Sequence, residues 1–231
     1  LTTDTGTSTT VPFVAGSSAG TGNGRVLLPG NSTCANEDIS VISCGDVTTL
    51  NYNDYAYELV EIGGQCWFKE NLRTILYGDG SPIDAPGSDK NAWEGNTTGA
   101  YAWYDNDRTQ YETAYGPLYN WYALDNPAGL CPAGWHVPTD CEWMYLEDTL
   151  GMSTEDQENL QWRGTDQGGQ LKEMGTDHWE STSSEVTNSS GFTARAGGLR
   201  YANGIFLNVG QSGAWWTSTD LDAPHKAYRI L

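Results

Sequence analysis

With 231 residues, the chain is long enough to bury one substantial core and divides better into a short leader plus one domain than into two domains. Eleven Lys plus Arg against thirty Asp plus Glu leave a net charge of −19, which argues against nucleic acid and anionic membrane surfaces as partners. No apolar run approaches the ~18 residues of a membrane span, no signal peptide is visible, and a start at Leu1 without Met reads as a processed or partly covered chain.

Ten Trp, thirteen Tyr and four Phe predict a core built from rings rather than aliphatic side chains. The five cysteines, Cys34, Cys44, Cys66, Cys131 and Cys141, include no CxxC pair, which argues against zinc. In a chain poor in Lys and rich in Gly, Ser, Thr and Asn, they read as the disulfides of an exported protein. Cys34 and Cys44 are near neighbours and are expected to pair locally.

From Leu1 to Gly30 the chain is Thr-, Ser- and Gly-rich, a linker or an arm that orders against a neighbouring subunit or domain; VPFVAG and RVLLPG, short β-prone runs within it, favour the arm. A cysteine-closed loop follows to Val47. Tyr52 to Glu70 reads as a hairpin in which YNDYAYELVEI alternates, Gly63-Gly64 turns and QCWFKENL returns. After a turn-rich loop, YAWYDND places Asp105, Asn106 and Asp107 side by side, oxygen donors of the kind calcium takes, although the spacing is not that of an EF-hand and an ordinary turn needs no metal.

The most informative stretch runs from Leu118 to Trp143. At its end Thr139 and Glu142 have the spacing of a capping box, Trp143, Leu146 and Leu150 recur at helical intervals, and Gly151 suits a left-handed C-terminal position, so a helix is predicted over about Asp140 to Leu150. STEDQENLQW, capped by Ser153 or Thr154, predicts a second short helix and GQLKEM another turn. His136 reads as a core histidine bonded to a backbone group, His178 as a loop residue beside Trp179, and His225 as an exposed loop residue. In the last part, IFLNV and AWWTST predict antiparallel strands, Asn203-Gly204 a hairpin turn, and Trp216 a core position.

The blocks QCWFKENLRT, CPAGWHVPTDCEW and GFTARAGGLRYANGIFLNVGQSGAWWTSTD, in that order, resemble the Fibrobacter succinogenes major paralogous domain. The resemblance covers about Tyr52 to Leu231 and implies an extracellular α+β domain with a fold related to C-type lectins and formylglycine-generating enzymes. The expectation is therefore antiparallel strands, one clear and one or two short helices and irregular loops over 51–231, preceded by an extended arm over 1–50 that carries the Cys34–Cys44 loop. In the resembled family a cysteine matching Cys131 has its partner in a final strand beyond the point where this chain stops; either that strand is missing, or Cys66, Cys131 and Cys141 share one bond and one free thiol. Arg200 follows Gly197-Gly198 as in the family and is expected to ion-pair with a buried carboxylate.

No nucleophile elbow, HExxH zinc motif or phosphate loop is present, and no cysteine follows Cys141, which separates the chain from the cysteine-based oxidation of formylglycine-generating enzymes. The resemblance instead implies a ligand-accepting face late in the chain, at Tyr201, Asn203, Phe206, Asn208, Gln211 and Trp215, where rings and amides suit sugars. The leading expectation is a non-enzymatic adhesion or ligand-binding module that recognises a glycan or protein, with calcium at Asp105, Asn106 and Asp107 as its cofactor. The alternatives are a subunit of a surface appendage, filament or virus-like particle whose arm pairs with neighbouring copies, and a formylglycine-generating-type oxidoreductase. Asn31, Asn96 and Asn188 open glycosylation sequons by pattern.

Overall fold

The computed structural model describes residues 14–15, 24–26, 28, 33–34, 37, 39–159, 161–222 and 225–231. The Asn31 sequon and most of the arm lie outside them. Strands β1 (Val14–Ala15), β2 (Gly24–Val26), β3 (Ile39–Val41), β4 (Thr49–Tyr52), β5 (Tyr55–Ile62) and β6 (Gln65–Phe68) come first. Next are α1 (Lys90–Glu94), β7 (Tyr101–Ala102), α2 (Arg108–Tyr115), β8 (Leu118–Tyr119), α3 (Trp121–Leu124) and β9 (Trp135–His136). The chain continues with α4 (Asp140–Thr149), α5 (Thr154–Gln157) and α6 (Gln167–Leu171), and ends in β10 (Gly197–Arg200), β11 (Phe206–Val209), β12 (Ala214–Asp222) and β13 (His225–Ile230). Each named strand pair is antiparallel, and the helices are few and short, as an α+β domain requires.

A five-stranded sheet in the order β4-β5-β6-β1-β9 gathers strands from distant parts of the chain. The β5–β6 hairpin turns at Gly63-Gly64, both at positive φ, as the sequence predicts. The stretch read as one alternating strand from Tyr52 breaks earlier, at Asn53-Asp54, whose φ values of 48° and 61° make a second tight turn between β4 and β5. Val14 pairs with Trp67 of β6 on one side and His136 of β9 on the other, so this part of the arm lies in the sheet of its own chain.

The interior has two main ring-rich clusters. One gathers Tyr57, Phe68, Tyr119, Trp121, Trp135 and Trp216; the other gathers Trp67, Trp143, Leu146, Phe192 and Trp215. Strands β6 and β12 supply both, because successive residues of a strand face opposite ways: Trp67 and Phe68 separate between the clusters, as do Trp215 and Trp216. A third, smaller cluster packs Leu28, Cys34 and Ile39 on Cys141 and Met144 of α4.

The disulfides correct the local pairing expected of Cys34 and Cys44. Cys34 bonds Cys141, 107 residues away, and Cys44 bonds Cys66 across 22, leaving Cys131 as the free cysteine. Cys44 points into the cluster beneath β6 and Cys34 onto α4, so packing, not sequence proximity, selects the partners.

Candidate functional site

Helix α4 is the frame of the site. Its capping box is complete: Thr139 Oγ1 accepts from the Glu142 N–H at 3.1 Å, and Glu142 Oε2 accepts from the Thr139 N–H at 2.8 Å. The same carboxylate meets His136 Nε2 at 2.8 and 2.9 Å, so the His136 ring bonds a side chain and not the backbone group expected of it. Gly151 takes φ 89°, the left-handed turn predicted after the helix. On the inner face of α4, Asp140 and Glu147 meet Arg229 of β13, and both Glu147 oxygens also accept from Arg163 Nη2, at 2.7 and 2.9 Å. Burial alone would lower the Arg229 guanidinium, but the Glu147 and Asp140 carboxylates outweigh it and hold it above its ordinary range.

Between α4, the segment 161–169 and the β10–β11 hairpin lies a cleft of about 770 Å³. Buried Trp143, Leu171, Leu199 and Trp215 line its inside. Its polar lining includes Gln161, Asp166, Glu185 and Asn208, and Trp162 and Tyr201 are exposed on its edges. Lys172 lines the cleft too, with its ammonium 4.3 Å from the centre of the Trp179 ring, and desolvation pushes its pKa below the ordinary lysine value.

Of the six residues expected on a ligand face, Tyr201, Asn208 and Trp215 line this cleft. Asn203 is exposed at the hairpin turn, where its Oδ1 accepts from the Ile205 N–H, and Gln211 is exposed with its amide donating to Glu180. Phe206 faces the other side of the hairpin, against Tyr104 and Arg200. Trp215 lies at the inner wall of the cleft and not on an open face: it is 0 % exposed and its indole N–H donates to Asn71 Oδ1, because β12 is covered on both faces. Arg200 is buried, its guanidinium 4.1 Å from the Trp93 ring centre and 4.7 Å from that of Phe206, and it donates to the Gly87 carbonyl. The Trp93 indole donates to the Tyr201 carbonyl, so this packing fixes the cleft-side hairpin from behind.

Asp105 and Asn106 occupy an exposed turn at positive φ, and Asp107 caps α2 by accepting from the Gln110 N–H at 3.0 Å. Among the described residues no group of three or more His, Cys, Asp or Glu is placed to hold a metal. His178 Nδ1 lies 2.6 Å from Glu173, which also receives Arg195. His225 falls in β13 rather than a loop, with its side chain outside the description. Trp162 escaped the sequence reading, although a Trp whose neighbours at helical spacing, Glu158, Asn159, Thr165 and Asp166, are all polar has no apolar stripe to join, and that is the signal it offered.

Together these features define a disulfide-tied α+β domain with one broad, aromatic-edged cleft. Residues 60–230 match the Fibrobacter succinogenes major domain, and the chain belongs to that family. No curated protein and no solved structure matches it.

Proposed function

We propose that this chain is a non-enzymatic, extracellular binding or adhesion module of C-type lectin-like build, which recognises a glycan or protein on another surface through the cleft beside its late hairpin. The observation that carries this reading is the convergence of Tyr201 and Asn208, expected on a ligand face, with the exposed ring of Trp162 around one cleft of about 770 Å³. The two disulfides fit an oxidising, exported setting, and among the described residues no helix is long and apolar enough to cross a membrane. Binding is favoured over catalysis because the histidines with described side chains are committed to structural carboxylates: His136 to the capping Glu142 and His178 to the Arg195-paired Glu173. An appendage subunit would use its arm in a neighbour, whereas Val14–Ala15 pairs within its own sheet, which favours the binding module.

A glycan array probed with the recombinant protein in calcium and again in EDTA tests the proposal. Retention of a defined glycan subset supports it, and loss of that subset in EDTA assigns calcium to the binding state. No retained glycan under either condition overturns glycan recognition.

A further inference from the structure

Nine of the ten tryptophans are 8 % exposed or less; the tenth, Trp162, is 79 % exposed and stands at the cleft. Its neighbours are firmly held. Arg163, the next residue, turns inward to donate from Nη2 to both Glu147 oxygens and from Nη1 to the carbonyls of Gln157 and Asn159. Gly164 follows at φ 77°, where an added Cβ would lie 2.6 Å from Gln167 Oε1 and 2.8 Å from Met152 Cε, so no side chain fits without displacement. Gln167 Oε1 accepts from the Thr165 N–H at 2.8 Å, and the Gln161 N–H donates to Asn159 Oδ1 at 3.0 Å. A ring presented from a backbone pinned on both sides loses little freedom on meeting a ligand.

An indole face offers a flat apolar surface, which the axial C–H face of a pyranose ring matches. The sugar hydroxyls then require donors and acceptors at the edge of the stack, and the same cleft supplies the amides of Gln161 and Asn208 and the carboxylates of Asp166 and Glu185. Charge narrows the class further. The chain carries a net −19, Asp166 and Glu185 are exposed carboxylates, and the cleft arginines Arg163 and Arg229 are already paired with Glu147 and Asp140. Against those carboxylates and the net −19, the cleft's remaining cation is Lys172, whose ammonium sits against the Trp179 ring, so an anionic sugar meets net repulsion.

We infer that Trp162 is the stacking platform of a site for an uncharged pyranose chain, running between the 161–169 segment and the β10–β11 hairpin. The inference rests on the binding-module reading and adds to it a residue outside the expected set and a ligand class.

The buried state of the other nine indoles gives a direct readout, because acrylamide quenches exposed indoles first and Trp162 dominates the accessible fraction. Cellohexaose, mannohexaose and xylohexaose are added in turn, with hexagalacturonate as the acidic comparison. The expected result is that at least one neutral probe protects Trp162 from quenching and hexagalacturonate does not. Trp162→Ala should weaken the binding of that probe, measured by calorimetry, by about tenfold or more, with Trp162→Phe intermediate. At its exposure, Trp162→Ala leaves the fold intact, which the thermal midpoint checks. Protection by none of the neutral probes, protection by hexagalacturonate alone, or undiminished binding by Trp162→Ala each overturns the inference. A positive glycan array combined with undiminished Trp162→Ala binding removes the platform while leaving the binding module standing, and a blank array removes the module's glycan reading itself.

Discussion

Arg229 illustrates how much a single buried charge depends on its partners. It is 8 % exposed and meets Asp140 and Glu147, which are 2 % and 6 % exposed, and Arg163 completes the charge balance from the far side of Glu147. Removing the guanidinium strands a carboxylate in the interior, so Arg229→Ala should lower unfolding free energy in urea by about 3–5 kcal/mol. None of the three other residues is close to Arg229 in sequence, and a lone Arg near the end of a β-prone run carries no sign of its partners. Trp215 and Trp216 were partly legible. Their adjacency guarantees opposite faces of a strand, but only the packing shows that both faces are covered, which buries Trp215 at the inner wall of the cleft.

Among the elements, α4 was legible nearly to its ends: about Asp140 to Leu150 was expected, and Asp140–Thr149 is observed. Caps and helical spacing are local, so the necessary information lies within one or two turns of chain. Thr139→Ala should cost about 1 kcal/mol in the same urea measurement, with Thr139→Ser restoring most of it. The β5–β6 hairpin and the hairpin around Asn203-Gly204 were legible for the same reason, since their turns name themselves. The Asn53-Asp54 turn was missed because the alternation of YNDYAYELVEI continues through it, and Asn and Asp, which tolerate left-handed backbone, carry a weaker signal than glycine.

At the scale of the whole molecule, the Cys34–Cys141 bond ties the segment around Leu28 and Ile39 to α4, across 107 residues. Closing so long a loop restricts the unfolded chain, so the Cys34→Ala/Cys141→Ala pair should lose about 4–5 kcal/mol of stability by the loop-entropy estimate. Alkylation of the denatured, unreduced protein followed by peptide mapping should label Cys131 alone and recover the Cys34–Cys141 and Cys44–Cys66 peptides; a Cys34–Cys44 peptide would reverse this pairing. The sequence by itself determined the family, the aromatic character of the core, the capped helix and the glycine-marked turns, because each rests on composition or on contacts a few residues apart. Only the tertiary structure decided which cysteines meet, which tryptophan stays in water, and that Tyr201, Asn208 and Trp162 share one cleft. Those outcomes depend on which distant surfaces pack together, and a linear pattern with a period of two or 3.6 residues holds no record of that.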